Sequence, residues 1–264
     1  MYQGFYNLTS GMLTQNRNLN VISNNMVNLQ TPGYKRDKMV STTFQEEMLY
    51  RTGKRYKENP EPLATTSKIR TADRTYVSYE QGGFEETEGI FDVALSGQGF
   101  FVINTANGPA YTRNGSFRVD EEGYLALNNL GRVLGTDGQP ILIDNENFTI
   151  NSRGVISVVE TEVDDDEGGE SETTVREMGT LQIVDFADYD QLHKEDYGVY
   201  TTNQGVQNVE NPSVLWKMLE RSNVDMMEEM TSMITSQRAL QSAAQVLKMY
   251  DQVLSKAVTD VGRL

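Results

Sequence analysis

The chain has 264 residues, of which 38% are hydrophobic, 9% aromatic and 23% charged, enough for one large domain or two small ones. It has no cysteine and a single histidine, His193, which excludes disulfides, thiolate metal sites and cysteine nucleophiles and argues against a Ser-His-Asp triad or a His-rich metal centre. A formal net charge of −15 argues against nucleic-acid binding, which needs a surplus of Lys and Arg facing phosphates.

The charge is unevenly spread. Residues 1–57 carry eight basic and three acidic side chains, whereas 58–264 carry fifteen basic and thirty-five acidic. A basic front and an acidic body can favour head-to-tail contacts between copies, although a solvated acidic surface is the simpler account. Residues 1–13 lack the basic start and apolar run of a cleaved signal peptide. No stretch reaches the ~20 apolar residues of a membrane span.

The first element is helical. Phe5, Leu8, Met12, Gln15, Leu19, Ile22, Met26 and Leu29 alternate three- and four-residue steps, the seam of a coiled coil. A helix over 3–29 would run about 40 Å. The opposite face is rich in Asn, Gln, Ser and Thr and suits polar contacts with other protein. Thr31-Pro32-Gly33 ends the helix, because proline cannot continue it and glycine frees the turn.

Residues 34–82 are weakly patterned, with Pro60 and Pro62 near their centre. Thr42–Tyr50 is compatible with a short helix and Arg74–Tyr79 with a strand. So long a stretch is unusual inside a compact domain and predicts an extended segment running along a surface or a neighbour.

The middle reads as β. Short apolar runs at 100–103, 110–113, 117–119, 124–127, 141–143, 155–159 and 181–184 alternate with turn pairs ending in Gly108, Gly115, Gly123, Gly131, Gly138 and Gly154. Glycine at such positions supplies the positive φ of tight hairpins, and the spacing predicts a meandering antiparallel domain inserted between helical ends. The acidic run Asp164–Glu172 lacks the alternating ligand spacing of a helix-flanked calcium loop and reads as a self-repelling hairpin tip.

The C-terminal part is helical again. Met226, Met230, Met233, Gln237, Leu240, Ala244, Leu247, Asp251, Leu254, Val258 and Val261 keep the same spacing. A second stripe runs beside it through Met227, Ile234, Ala243, Val246, Tyr250, Val253 and Ala257. Over 219–261 this helix would reach about 65 Å. One N-terminal seam cannot cover two stripes, so the surplus apolar area calls for further partners, most simply other copies of the chain.

No active site emerges. Asp92, flanked by apolar residues, is the most suggestive acid, but a structural role is the plainer account. His193 lies in a polar loop with no second histidine. Ser96-Gly97-Gln98-Gly99 leads into a strand and offers no helix N-terminus to a phosphate. The chain is therefore read as neither an enzyme nor a binder of cofactor, metal, nucleic acid or small-molecule substrate.

Three blocks resemble a known family. Leu8-Thr9-Ser10-Gly11-Met12 and Ile22–Lys35 (including Asn24, Asn25, Thr31, Pro32, Gly33 and Tyr34) resemble the N-terminal signature of bacterial flagellar basal-body rod and hook proteins. Phe91–Val102 and Tyr111–Phe117 resemble the β domain of its larger members. Leu219-Glu220-Arg221-Ser222-Asn223-Val224-Asp225, with Glu229–Arg238, resembles its C-terminal signature. The chain departs from the family at Lys217, where glycine is frequent, and at Leu240, where tyrosine is frequent.

The resemblance implies an axial structural protein, exported by the flagellar type III apparatus, that assembles with itself and with other rod, hook and ring proteins in the basal body. The implied fold is α+β, with terminal helices pairing as a coiled coil, an inserted antiparallel β domain and a long extended linker. The expected segments are the N-terminal helix at 1–33, the linker at 34–82, the β domain at 83–210 and the C-terminal helix at 211–264. Assembly is expected along Phe5, Leu8, Met12, Leu19, Ile22, Met26 and Leu29 against Met226, Met230, Met233, Leu240, Leu247 and Leu254. One β domain and a long linker look most like the distal rod member, transmitting torque to the hook, with the shorter proximal member as the alternative. A coiled-coil stalk protein would explain the helices but not the joint signatures, and a peptidoglycan hydrolase would need a carboxylate essential for turnover.

Overall fold

The computed structural model describes residues 2–51, 61–127, 130–143, 148–162 and 172–262. It is α+β, with a helix at each end and β structure between them. The chain divides into two compact units. One comprises residues 1–27, 37–78 and 225–264, and the other residues 28–36 and 79–224.

The first unit holds α1 (Tyr2–Val27), a hairpin of β1 (Asp37–Arg51) and β2 (Glu61–Val77), and α2 (Met226–Val261). Helix α1 packs on α2 and on both strands. Asn18 bonds Ser236, Asn25 bonds Glu229, and a Cβ on Gly4 would touch the Tyr250 hydroxyl. Partners of rising number on α1 meet partners of falling number on α2, so the helices run antiparallel.

Strands β1 and β2 pair antiparallel from Asp37 opposite Val77 to Arg51 opposite Glu61, with register shifts after Val40 and Leu49. This corrects one expectation: Thr42–Tyr50 is strand rather than helix. The cause is non-local: a backbone ladder with residues far along the chain satisfies every second amide that a short isolated helix would leave weakly held.

Helix α2 begins at Met226, not near Leu219. The Asp225 carboxylate accepts from the Met227 and Glu228 amides and caps it, with Glu228 and Glu229 favourably placed in its first turn. No helix among the described residues is long and apolar enough to cross a membrane.

The second unit is built on antiparallel β pairing, with short 3-10 turns at Asn28–Gln30, Tyr189–Gln191 and Asp196–Gly198. Its strands are β3 (Phe84–Glu86), β4 (Val93–Ser96), β5 (Phe100–Thr105), β6 (Gly108–Thr112), β7 (Arg118–Val119), β8 (Leu125–Leu127), β9 (Gly131–Val133), β10 (Phe148–Ile150), β11 (Val155–Glu162), β12 (Glu172–Thr180), β13 (Ile183–Asp185), β14 (His193–Lys194), β15 (Val199–Thr201), β16 (Gln207–Asn208), β17 (Ser213–Trp216) and β18 (Met218–Glu220). The largest sheet runs β14-β15-β6-β5-β9-β8-β7, with β13 pairing β5 and β16; β10-β11-β12 form a second, while β17 pairs β4 and β18 pairs β3. Strand alternation divides the interior. Phe101 and Ile103 enter an aliphatic core with Leu125, Leu127, Val133, Ile156 and Leu181. Phe100 enters an aromatic cluster with Tyr79, Phe186, Tyr189 and Tyr200.

The run at 141–143 makes a single bridge, Tyr124 with Leu142, instead of a strand. Gly108, Gly123, Gly138 and Gly154 have the positive φ expected of them, but Gly115 and Gly131 do not. Gly115 is needed for close approach: a Cβ there would overlap the Val93 carbonyl, which sits against its backbone. The acidic run at 164–172 lies outside the described residues apart from Glu172, which opens β12.

Candidate functional site

The two signature blocks meet inside the β unit. Gly33 N donates to Glu220 O at 2.7 Å, and Asn223 N donates to Tyr34 O at 3.4 Å. Arg36 N donates to the Asn223 Oδ1 at 2.7 Å, while the Asn223 Nδ2 donates to Glu80 O at 2.9 Å. Gly33 has φ +68, and a Cβ on it would overlap the main chain of Arg113. Helix α1 stops at Val27 and a 3-10 turn at Asn28–Gln30 follows it, so Thr31-Pro32-Gly33 comes after the helix end, and its glycine lets the chain lie flat against β-unit backbone.

At the centre is a buried ion pair. Lys35 Nζ lies 2.6 Å from Glu220 Oε1, with side-chain exposures of 1% and 0%. The same ammonium donates to Glu80 O at 2.8 Å, and Gly82 N donates to Glu220 Oε1 at 3.1 Å. Arg113 Nη1 lies 3.5 Å from Glu220 Oε2, and its Nη2 donates to Gly97 O at 2.6 Å. Burial pulls both basic groups below their ordinary pKa values, and the Glu220 carboxylate acts against that pull on each. Lys194 completes the surround, with its ammonium 3.8 Å from the centre of the Tyr34 ring and donating to Lys35 O at 2.7 Å. A pocket of about 300 Å³ opens beside the cluster, lined by Tyr79, Glu80, Gln98, Phe100, Arg113 and Tyr189.

The other motif residues have plain roles. Thr31 bonds Asn28, Leu219 pairs with Glu85 in the β18–β3 ladder, and Ser222 accepts from Val224 N. Pro32 is half-buried, Val224 is buried and Asn24 is exposed. In the helical unit Asn25 is buried and bonds both Asp37 and Glu229.

The residues of the two apolar seams differ in burial. Ile22 is 4% exposed; Phe5, Met226, Met230 and Leu254 are 43%, 45%, 39% and 41% exposed. Leu8, Met12, Leu19, Met26, Leu29, Met233, Leu240 and Leu247 are half-buried. Asn18 and Asn25, which lie off the apolar register of α1, make hydrogen bonds to α2.

Sequence reasoning missed Lys35, Glu80, Arg113 and Glu229 as site residues. A signal existed for the pair: Lys35 closes one signature block and Glu220 stands near the start of the other, with opposite charges. Asp92 is structural, accepting from Thr87 Oγ1 at 2.8 Å and from Lys217 N through its carbonyl. His193 is exposed on β14. Among the described residues no three His, Asp or Glu side chains stand close enough to hold a metal ion.

Family models match in the same places. One for the flagella basal body rod protein covers 5–35, one for the flagellar hook protein FlgE/F/G D1 domain covers 94–158, and one for the flagellar basal body rod FlgEFG protein C-terminal covers 217–260. The flagellar basal-body rod protein FlgG of Bacillus subtilis is 30% identical over 98% of each chain. The chain belongs to the flagellar basal-body rod protein family. The FlgG of Borreliella burgdorferi is 31% identical over 97% of this chain and 98% of its own. The flagellar hook-basal body complex protein FlhO of B. subtilis is 27% identical over the full length of both.

The chain is thus a structural rod subunit of the flagellar basal body, not an enzyme. Within the family frame, the N-terminal match ends at Lys35 and the C-terminal match contains Glu220, so the buried pair joins the two terminal modules.

Proposed function

We propose that this rod protein occupies the distal rod and polymerises through its terminal helices into the tube that carries torque to the hook. The observation that carries this is the apolar surface left on both helices. On α1, Phe5 and Leu13 are 43% and 59% exposed; on α2, Met227, Ile234, Val253 and Val258 are 72%, 50%, 61% and 73% exposed. Both stripes of α2 keep exposed members, so pairing within one chain leaves apolar area for neighbours. Burying one such side chain contributes roughly 1.5–3 kcal/mol, which repeated over a lattice makes assembly strong without covalent links. Met suits helices that meet slightly different neighbours.

In this reading Phe5, Leu8, Met12, Leu19, Ile22, Met26 and Leu29 work with Met226, Met230, Met233, Leu240, Leu247 and Leu254 as coiled-coil seams. Residues 83–210 form the outer layer, and 34–82 join the two. The partners are further copies, other rod, hook and ring proteins, and the type III export apparatus. The FlgG relatives support the distal position, while the full-length match to FlhO fits the alternative, the shorter proximal rod member.

The test is Leu247→Asp. The variant is expected to keep a folded β unit and to be absent from isolated rods. Normal rods containing it would overturn the seam assignment.

A further inference from the structure

The chain passes between its two units four times, after residues 27, 36, 78 and 224. On the β-unit side, three of these passages end in one hydrogen-bonded ring. The passage at 36 is held by Lys35 and Arg36, the one at 78 by Glu80, and the one at 224 by Glu220 and Asn223. Glu80 O accepts from both Lys35 Nζ and Asn223 Nδ2, and Asn223 Oδ1 accepts from Arg36 N. Arg113, through Glu220 Oε2 and Gly97 O, fastens the ring to the loop before β5.

A buried ion pair is a poor device for stability alone. Desolvating both charges offsets most of their attraction, and apolar residues of similar size often serve as well or better. What it provides is position. A pair at 2.6 Å, with a further acceptor on the lysine and further donors on the glutamate, is lost when the segments slide by an ångström or so, whereas an apolar contact tolerates sliding.

We propose that Lys35, Glu220 and Asn223, with the Glu80 carbonyl, form a clasp that makes three chain passages move as one body with the β unit under twisting load. Without it, a pull on α1 peels residues 28–36 away from the β unit before the rest responds. With it, the same pull is shared with the passages at 78 and 224. The inference rests on the rod reading for its purpose, but its mechanics belong to the single chain and are tested there.

The absence of native cysteine allows unique handles. Asn24→Cys in α1 and Asp137→Cys in the β unit, both at exposed positions, let the full chain be stretched in an optical trap. With the native clasp, residues 28–36 are expected to release together with the β unit in one step. Lys35→Met/Glu220→Met removes the pair but leaves the buried Arg113 guanidinium without its carboxylate, so it is expected to lower the thermal midpoint and to release 28–36 in a separate step at lower force. Asn223→Ala keeps the charges and removes the ring's carboxamide; it is expected to show the same early step, and it decides the matter if the double variant does not fold. A single step at unchanged force in the folded variants overturns the clasp. That result would leave the rod reading standing, because rods in cells are scored separately.

Discussion

The carboxamide of Asn25 holds both main-chain groups of Asp37: its Oδ1 accepts from Asp37 N at 3.0 Å, and its Nδ2 donates to Asp37 O at 2.8 Å. One buried side chain near the C-terminus of α1 thereby sets where β1 starts. The same Nδ2 reaches Glu229 Oε1 at 3.3 Å, so the start of β1 and the first turn of α2 are fixed by one group. Asn25→Ala leaves the Asp37 amide and carbonyl to find other partners, and is expected to cost about 1–3 kcal/mol. Urea unfolding of the helical unit, followed by far-ultraviolet circular dichroism, checks this. A midpoint equal to that of the native chain would refute the assignment.

Lys217 sits at φ +57, in the left-handed region, at the position where the family resemblance leads one to expect glycine. Its backbone is fully used, since its amide donates to Asp92 O and its carbonyl accepts from Thr87 N. A non-glycine residue there costs roughly 1–2 kcal/mol in backbone strain. The ammonium 4.6 Å from the centre of the Trp216 ring recovers part of that. Lys217→Gly is expected to raise the stability of the β unit, and Lys217→Val to lower it. Trp216 is the sole tryptophan, so its fluorescence reports the unfolding directly. A destabilised glycine variant would show that the cation–ring contact outweighs the strain.

Tyr189 predicts an alkaline effect. Burial, with its hydrogen bond to Asp185 at 2.6 Å, pushes the phenol from 10.0 up to about 12. The folded β unit thus keeps a proton that the unfolded chain gives up. The stability this contributes is fully present below pH 10 and is lost as pH rises towards 12. Tyr189→Phe is expected to flatten that fall in the unfolding midpoint. An unchanged slope would remove Tyr189 as its source.

The distal part of α2 has few partners within one chain, and residues 251–260 are all exposed. In the isolated protein their amides are expected to exchange with solvent far faster than those of the β core around Phe101 and Ile103. Incorporation into rods should slow them. Equal protection in the free protein would mean that the helix needs no neighbours.

Much of this architecture is legible in residue spacing because helices are local. The three-and-four rhythm from Phe5 to Leu29 places α1 within two residues of its observed end at Val27. The C-terminal stripe likewise opens at Met226, the first residue of α2, whereas the helix span expected from 219 ran too early, because the Asp225 cap starts the helix after the β18 strand. The hairpin of β1 and β2 was hidden because its ladder pairs Asp37 with Val77, a relation that no periodicity records. Gly115 looks like a turn glycine in sequence but is there to admit the Val93 carbonyl. The clasp is the extreme case, with Lys35 and Glu220 separated by 185 residues, and only their opposite charges at the edges of two motifs hinted at a meeting.

Assembly of the rod through the two ends of this chain is checked by a clean deletion complemented in trans, with electron microscopy of extracted basal bodies. The expected result is truncated rods without hooks or filaments, restored by the native chain, with the stub length marking its position along the axis. Normal flagella and motility in the deletion strain, with no second copy to cover the loss, would contradict it.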